Sequence, residues 1–591
     1  MSRITFSSLP PEIIQLIGSQ MDQHSLSHCS LVDHAWHSLF ASSLWRSLDL
    51  SSQFRFNNSP SALKALLRNI HSLRQLATSD RELLCHLAYD HFPLLSNLQT
   101  LDLFLYNNGG FSGNEPLLPL RLLTGCVNLE SLTIAGRSCL KYADDEETDA
   151  FQEVLAALPT GSFKKLSINF EVEDYSPCVE RGAWSPLIDH DDEYQLAVDR
   201  QRLLPPFVAL RELVLLSAYI HINPSKLALL ARCPNLERLE IDSPDECAVR
   251  YLAEAILEFC PKLVELVWGG ERDYSDELMG GLLRASRLGW RVLSLLRMDA
   301  PRASAYDAVM ENAKTLEELH LQKWSGGKEA ADHSFFLDFF CTAKNLRRLT
   351  GYNHGERCIC DWAVEIHAYD ALVEHTEDVD FDCKWALGSK IESLQMQIVG
   401  VPRPDVVCRG DGTPLRDWMV EQGLDKRKRY EAQRYIYDQL ARMTGIRELV
   451  LGVIDIQKYD VARYGVGISR IRETASPLEV EDVLMEAGEA FKLVNYQSLE
   501  FSLESGLGLL SGLKEMRVLD VKSTAHRIGV AELEWMRLHW PKLQEIRGLV
   551  NDRKWAGDVE RGLKVKKDVE EWLAAHPGGI GSLYYLGTVG S

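Results

Sequence analysis

The sequence predicts an α/β fold in which a small helical domain precedes a solenoid of repeated strand–helix units. Two observations lead to this prediction. Between residues 9 and 45, large apolar side chains recur at helical spacing, which indicates three short helices. From residue 98 onward, one sequence motif of spaced apolar residues, L-x-x-L-x-L, recurs along most of the chain. Because the two patterns have different periods, they indicate separate domains.

The amino-terminal helices carry more apolar side chains than they can bury among themselves. Ile13 and Ile14 begin an apolar run in the first helix, and Leu31 and Val32 precede a third helix. Pro10 suits the first turn of a helix, where a missing amide donor does no harm. Domains this small bury a limited fraction of their surface, so apolar groups are left over. We therefore expect part of this surface to face a partner.

This segment resembles the F-box. The family pattern opens with Leu-Pro-x-Glu and ends with Leu-Trp, and the matching positions are Leu9-Pro10-Pro11-Glu12, Ile13, Ile14, Leu26, Leu31-Val32, Trp36 and Leu44-Trp45. The segment departs from the pattern at Met21, where leucine is usual, and at His34, Ala35 and His37. The other interpretation is a helical cap on a larger domain, with Trp36 as an ordinary core residue.

The F-box resemblance implies a docking surface for the small Skp-family adaptor of a cullin-RING ubiquitin ligase. It implies that the following residues form either the adaptor contact or the core beneath it: Leu9, Pro10, Ile13, Ile14, Leu26, Leu31, Val32, Trp36 and Trp45. The sequence does not separate the contact residues from the core residues within this set.

Length, charge and cysteine content limit the function classes. At 591 residues, the chain is too long for one compact core. Its net charge of −21 disfavours a nucleic-acid or membrane-surface role. We find no apolar signal core at the start and no run long enough to span a membrane. Thirteen scattered cysteines suggest free thiols, so we expect an intracellular protein, cytoplasmic or nuclear.

The repeated motif indicates a curved stack of strand–helix repeats. Its second leucine lies at positions 213, 239, 266, 293, 319 and 349, which fits the spacing of leucine-rich repeats. The array also resembles the repeats found behind many F-boxes in its Cys-Pro-x-Leu entries, Cys233–Leu236 and Cys260–Leu263. Alternating leucines would point inward and a helix would return the chain to the next strand, giving a horseshoe. The same motif is matched by Trp45-x-x-Leu48-x-Leu50, so the F-box could lead directly into a first strand.

These patterns divide the chain into four parts. We assign an F-box to residues 1–50, connecting helices or an atypical first repeat to 51–95, a solenoid to 96–550, and a helix and tail to 551–591. An acidic, proline-containing stretch at 171–206 predicts an exposed inserted loop. The repeats become irregular beyond residue 349, where copies begin at 391, 446 and 516, with weaker ones at 496 and 543. Residues 415–443 predict one long helix.

Signals for chemistry are weak. Six residues of metal-ligating types cluster within thirty residues: His354, Cys358, Cys360, His367, His375 and Cys383. Their spacing lacks the paired knuckles of zinc sites, so we favour an ordinary loop. Cys126, Cys233 and Cys260 recur at one repeat phase, which predicts buried core residues. The basic run at 426–429 predicts a solvated helix face more strongly than an import signal or a phosphate patch. We expect no catalytic residue, metal or cofactor.

The strand residues that flank the inward leucines should line the concave face of the horseshoe. Those with the strongest charge or polarity are Arg238, Glu240, Glu265, Glu318, His320 and Arg348. Acids outnumber bases at the flanking positions, so the first hypothesis is a mildly negative face that prefers a basic or neutral client segment. The other hypothesis is that these charges only keep an exposed sheet hydrated.

Together, the two resemblances predict a non-catalytic substrate-recognition subunit of a Skp–cullin–F-box ubiquitin ligase. Its F-box would bind the adaptor and its repeats would hold a client protein. The alternative is a leucine-rich-repeat scaffold that binds the adaptor outside any ligase. An enzyme with its own active site is the third and weakest interpretation.

Overall fold

The structure is a computed structural model that divides into two compact units. The first comprises Met1–Gly270 with Ala285–Leu288, and the second comprises Glu271–Arg284 with Gly289–Ser591. The residues described are 9–32, 34–50, 60–87, 92–104, 122–137, 155–156, 158–171, 190–217, 227–242, 246–269, 274–295, 298–299, 303–321, 324–325, 338–350, 363–365, 384–399, 401, 426–451, 499–521, 526–549 and 559–576.

The first unit opens with three short helices and continues into a parallel sheet. The helices are α1 (Pro11–Gln20), α2 (Gln23–Ser30) and α3 (His34–Leu44). Eight strands follow: β1 (Ser47–Leu50), β2 (Gln75–Thr78), β3 (Thr100–Phe104), β4 (Ser131–Arg137), β5 (Lys165–Glu171), β6 (Glu212–Ser217), β7 (Arg238–Ile241) and β8 (Glu265–Trp268). Each strand pairs in parallel with the next one along the chain.

Helical segments return the chain between these strands. The described α-helices that lie between strands of the first unit are α4 (Pro60–Asn69), α5 (Arg81–His86), α6 (His190–Arg202) and α7 (Glu246–Phe259). Shorter 3-10 segments lie at Ile70–Ser72, Phe92–Asn97, Leu122–Gly125 and Ala228–Arg232. In α7, Leu252, Ala255 and Ile256 are buried, as their helical spacing predicts.

One leucine per strand runs through the sheet of the first unit in a continuous row. Leu48 pairs with Leu76, and the register continues through the second leucine of each later copy of the motif, at 101, 132, 166, 213, 239 and 266. From Leu76 onward these leucines, called anchors below, are buried. The strand predicted directly after the helical domain is therefore confirmed. The strand at Gln75–Thr78 was not among the predicted copies, although Leu73 and Leu76 obey the same spacing.

The second unit has a seven-stranded parallel sheet among its described residues. Its strands, in spatial order, are β9 (Val292–Leu295), β11 (Glu318–Leu321), β13 (Arg348–Thr350), β15 (Ser393–Gln395), β17 (Glu448–Val450), β18 (Val518–Asp520) and β19 (Glu545–Arg547). Two further parallel pairs are β10 (Met298–Asp299) with β12 (Trp324–Ser325), and β14 (Ala363–Glu365) with β16 (Gln397–Val399).

The α-helices described in the second unit are α8 (Asp276–Leu283), α9 (Ala303–Asn312), α10 (Lys426–Ala441), α11 (Val530–His539) and α12 (Val559–Ala575). A 3-10 segment covers Leu507–Gly512. The long helix predicted over 415–443 is confirmed over Lys426–Ala441, and its residues 415–425 lie outside the described residues. Arg427 and Lys428 are exposed there, which agrees with a solvated basic face.

Two predictions about the irregular regions are corrected. The acidic stretch at 171–206 is not all loop, because His190–Arg202 forms α6. Tyr194 and Val198, four residues apart, bury one face of this helix, and the Tyr194 ring lies 4.5 Å from that of Tyr251. Among the described residues, the weak repeat at 496 adds no strand to the sheet, and β17 pairs directly with β18.

Three of the cysteines behave as core residues. Cys126, Cys233 and Cys260 are buried, and the thiols of Cys126 and Cys233 donate to the carbonyls of residues four positions earlier, at 3.4 and 3.3 Å. Burial raises the pKa of the Cys126 and Cys233 thiols to about 12. Cys341, in contrast, is disulfide-bonded, which corrects the expectation that all thirteen thiols are free.

Among the described residues, no helix combines the length and apolar character that crossing a membrane requires. No group of three or more metal-ligating side chains comes together in the same part of the chain. The six histidines and cysteines considered as a zinc cluster, at 354, 358, 360, 367, 375 and 383, lie outside the described residues.

Candidate functional site: an exposed apolar surface on the helical domain

Helix α1 begins where the sequence predicts. Pro10 is the N-cap residue and Pro11 the first helical residue, and the Pro10 carbonyl accepts from the Ile13 amide at 3.0 Å. Farther along, Gly18 lets α1 approach α3 closely. A methyl group placed on Gly18 would lie 2.6 Å from Ser43 Oγ and 3.3 Å from a Phe40 ring carbon. The absent side chain is therefore what allows these two helices to pack.

Asp22 caps helix α2. Its Oδ1 accepts from the Ser25 amide at 2.7 Å and its Oδ2 accepts from the Ser25 hydroxyl at 2.9 Å. The backbone hydrogen bond from Ser25 is the main cause that lowers the pKa of the Asp22 carboxyl below its usual value. At the same end of the helix, the Gln23 side chain donates to the carbonyl of Ser47. This contact ties α2 to the first strand of the sheet.

A small core holds the three helices together. Ile14 from α1, Leu26 from α2 and Phe40 from α3 are each almost fully buried against one another. The partly buried residues around them are Leu9, Met21, Cys29, Trp36, Leu39 and Leu44. The rings of Trp36 and Phe40 lie 5.7 Å apart between centroids. Each helix therefore contributes one side chain to the centre of the domain.

Four large apolar side chains of the same domain remain exposed. The exposed fractions are 43% for Ile13, 59% for Leu16, 79% for Leu31 and 61% for Val32. Ile13 and Leu16 are three residues apart, so they share one face of α1. Leu31 and Val32 follow the last turn of α2 directly. We call these four residues the apolar docking surface; no other described part of the chain buries them.

The structure separates contact candidates from core residues within the set that the sequence predicted. Pro10, Ile13, Leu31 and Val32 are exposed and available to a partner. Ile14 and Leu26 are buried, so they can only support the surface from beneath. Leu9, Trp36 and Trp45 are half-buried.

Leu16 belongs to the exposed surface, although the sequence-based set omitted it. The apolar run Ile13–Ile17 contains both inward and outward side chains. Apolar spacing alone does not distinguish a side chain that faces the core from one that faces a partner. The distinction needs the position of α3, which covers Ile14 and leaves Leu16 open.

Two predicted client residues of the first unit, Arg238 and Glu265, lie in a row of alternating charge with two residues that were not predicted, Lys165 and Glu212. Lys165, Glu212, Arg238 and Glu265 occupy equivalent register positions on four consecutive strands. Lys165 Nζ lies 3.0 Å from Glu212 Oε1, and Arg238 lies 3.6 Å from Glu212 and 3.8 Å from Glu265. We call this set the charged row. Its carboxylates already face basic groups of the same chain.

A second row lies beside the charged row and is less exposed than predicted. Glu240 occupies the register position between Val214 and Val267, and its Oε2 lies 3.1 Å from Arg238. Val214 and Val267 are both buried. The prediction that every flanking position lines an open face is therefore wrong for these two valines. Neighbouring strands stand only about 4.8 Å apart, so longer side chains beside them can cover them.

In the second unit, the predicted client residues form their own cluster. His320 Nε2 lies 3.3 Å from Glu318 Oε2, and Arg348 lies 3.8 Å from Glu318 Oε1. The other ring nitrogen of His320 lies 2.5 Å from the Thr350 hydroxyl. In both clusters acidic groups are matched by nearby basic groups, which weakens the hypothesis of a simply negative face.

Comparison with known families identifies the helical domain. The F-box-like family model matches residues 6–51, which contain α1, α2, α3 and β1. The chain matches no curated protein. F-box domains generally bind adaptors of the Skp family. All three helices lie within the matched segment, and over residues 6–51 the chain carries an F-box-like domain.

Proposed function

We propose that the protein is a non-catalytic substrate-recognition subunit of a Skp–cullin–F-box ubiquitin ligase. The observation that carries the proposal is the apolar docking surface, which lies on the domain that matches the F-box-like family. The proposal assigns the surface to a Skp-family adaptor and, through it, to a cullin. It places the protein inside the cell, in the cytoplasm or the nucleus.

The energetics of the surface support an obligatory partner. Taking a Leu, Ile or Val side chain from full exposure to full burial contributes about 1.5–3 kcal/mol, and these four are 43–79% exposed, so covering them contributes part of that figure at each position. Association itself costs several kcal/mol in lost freedom of motion, so the four contacts alone do not determine the affinity. They provide the apolar centre that stable interfaces have.

The role proposed for the strands is to hold a client. The repeated leucine motif and the parallel strand order support a leucine-rich-repeat solenoid. The charged row supplies both signs of charge on one face. The chain would raise the local concentration of client lysines near an activated ubiquitin, which needs no catalytic residue. A client that carries alternating charges fits this row better than a uniformly basic one.

The adaptor part of the proposal is tested with purified proteins. Leu31→Glu with Val32→Glu places two charges on the surface without touching the buried core, so the domain should stay folded while adaptor binding falls at least about hundredfold. The matched control is Leu538→Glu, because Leu538 on α11 is 76% exposed and lies outside the F-box-like domain. Binding of a Skp-family adaptor is measured by titration calorimetry. Equal affinity for both variants contradicts the proposal.

The ligase part needs a second measurement. A complex of the chain with the adaptor is mixed with a purified cullin and separated by size-exclusion chromatography. Co-elution of all three supports the ligase subunit, whereas an adaptor complex that excludes the cullin assigns the chain to a scaffold outside a ligase.

The client part is tested separately. The triple reversal Glu240→Lys, Glu265→Lys and Glu318→Lys should change which proteins are captured from a lysate, while the adaptor is retained. Deleting residues 1–50 should lose the adaptor and retain the clients. Unchanged capture by the triple variant removes these glutamates from the client surface.

A further inference from the structure

Two exposed histidines on helix α2 lie close together. His24 and His28 are four residues apart, so they stand on the same face of the helix. Their Nε2 atoms are 3.1 Å apart, and their ring planes meet at 75° with centroids 4.4 Å apart. Both residues are exposed to solvent. The F-box resemblance and the proposed function make no use of either side chain.

The separation of the two nitrogens matches neighbouring ligands of a metal ion. Imidazole nitrogens bind Zn²⁺ at about 2.0–2.1 Å. Two such nitrogens 3.1 Å apart subtend an angle of about 98° at one ion, which lies between the octahedral and tetrahedral values. Without metal, the close approach requires one Nε2–H to donate to the other Nε2. An ion would replace that hydrogen bond, and the donating ring would then carry its single proton on Nδ1 instead of Nε2, as its neighbour already does.

We propose that His24 and His28 form a two-histidine site for a divalent transition-metal ion such as Zn²⁺. Water molecules would complete the coordination, because no third metal-ligating side chain joins the pair among the described residues. Asp22 is nearby in the sequence, but both of its carboxylate oxygens already accept hydrogen bonds from Ser25 in the helix cap. Imidazole ligands favour Zn²⁺, Cu²⁺ and Ni²⁺ over Mg²⁺ and Ca²⁺, so the site should ignore the latter two ions.

The site does not depend on the proposed function, because its ligands lie on an exposed face of α2 and do not belong to the apolar docking surface. A bound ion would link two successive turns of the helix. It would therefore slow local opening of α2, since an ion that binds only the folded helix stabilises it.

The test uses the full chain and Zn²⁺ alone. Equilibrium dialysis compares the wild type with His24→Gln, His28→Gln and the double variant. The double variant should lose one equivalent of bound zinc, and each single variant should weaken that site at least about tenfold, because a chelate loses its second, intramolecular contact. The matched control is His71→Gln with His86→Gln, two exposed histidines outside helix α2. This control should retain the wild-type stoichiometry.

A second measurement locates the ion. Modification of histidines by diethyl pyrocarbonate is followed by mass spectrometry of the tryptic peptide that spans residues 4–46, which contains both the pair and the exposed His34 and His37. Zn²⁺ should protect His24 and His28 and leave His34 and His37 reactive. The proposal is overturned if the double variant binds zinc as the wild type does, or if all four histidines are protected equally. Circular dichroism of each variant checks that the helices remain folded.

Discussion

The side-chain oxygen of Asn312 accepts a hydrogen bond from the backbone N–H of Trp290 at 2.9 Å. The amide nitrogen of the same side chain donates to the carbonyls of Leu283 at 3.0 Å and Ala308 at 2.7 Å. One buried amide thus joins the end of α8, the end of α9 and the approach to β9. The Trp290 amide lies outside the helices and the strand, so the Asn312 side chain satisfies it, while the Leu283 carbonyl also accepts from Trp290 Nε1 at 2.7 Å.

Replacing Asn312 with alanine should lower the free energy of unfolding by about 1–3 kcal/mol, because the buried backbone amide of Trp290 loses its partner and the Leu283 carbonyl keeps only its bond from the Trp290 indole. Urea unfolding followed by circular dichroism measures the change. The control is Asn345→Ala, which removes two exposed hydrogen bonds, one donated to the Lys314 carbonyl and one accepted from Lys390 Nζ, and should change stability by no more than about 0.5 kcal/mol. Equal effects of the two variants contradict a structural role for the buried amide.

The F-box-like domain should respond differently to core and surface truncations. Phe40→Ala should destabilise the domain by about 3–5 kcal/mol, because Phe40 is fully buried between α1 and α2. Leu31→Ala should leave stability within about 0.5 kcal/mol of the wild type, since Leu31 is exposed. Hydrogen exchange of the peptide covering residues 4–46 reports the opening of this domain alone. Faster exchange in Leu31→Ala would show that Leu31 supports the fold.

Gly289 is required by its backbone conformation as well as by space. Its φ is +76°, and an added Cβ would lie 2.7 Å from Thr315 Oγ1. Gly289→Ala should cost more than about 1 kcal/mol, because alanine is strained at this φ. Gly281→Ala is the matched control, since Gly281 lies inside helix α8 with open space around it. That control should be stabilising by about 0.5–1 kcal/mol. Thermal unfolding of both variants measures the two changes.

The buried cysteines should resist alkylation in the native protein. With the pKa raised to about 12 by burial, the thiols of Cys126 and Cys233 carry almost no thiolate at pH 8. Iodoacetamide followed by peptide mass spectrometry should therefore label the partly exposed Cys29 first and the buried pair only after unfolding.

The same two thiols also predict how stability depends on pH. The folded chain holds them neutral, whereas the unfolded chain ionises them from about pH 9. Their contribution is therefore complete below pH 9 and is lost as pH rises toward 12. Cys126→Ala with Cys233→Ala should make the alkaline part of the stability profile flatter. An unchanged slope would mean that these thiols do not control it.

The regular part of the fold follows from the sequence, because every copy of the leucine motif must bury its second leucine in the same way. An anchor such as Leu239 must be buried between two neighbouring anchors, which fixes both the strand and its register. Shorter signals were less informative. Leu76 belongs to the row, but its strand ends in Thr78 rather than a third apolar anchor. The acidic composition around α6 concealed the spacing of Tyr194 and Val198.

Burial at single positions could not be predicted from residue type. Arg232 is almost fully buried, with its guanidinium 3.9 Å from the centre of the Phe207 ring and hydrogen bonds to the carbonyls of Pro205 and Leu155. Burial lowers its pKa to about 10. The reverse holds for Leu31, which is apolar and exposed. Both depend on how helices and loops from distant parts of the sequence come together, which periodicity does not encode.

The direct pairing of Glu448–Val450 with Val518–Asp520 has a practical use. Sheet continuity at this point does not depend on the length of chain that joins the two strands, and closing a longer connection costs only about 0.6 kcal/mol per doubling. Lengthening the chain between Leu451 and Leu499 should therefore cost little stability through loop closure alone. A fluorescent reporter or an affinity module inserted there tests this expectation, since unchanged thermal unfolding would mean that both strands keep their register.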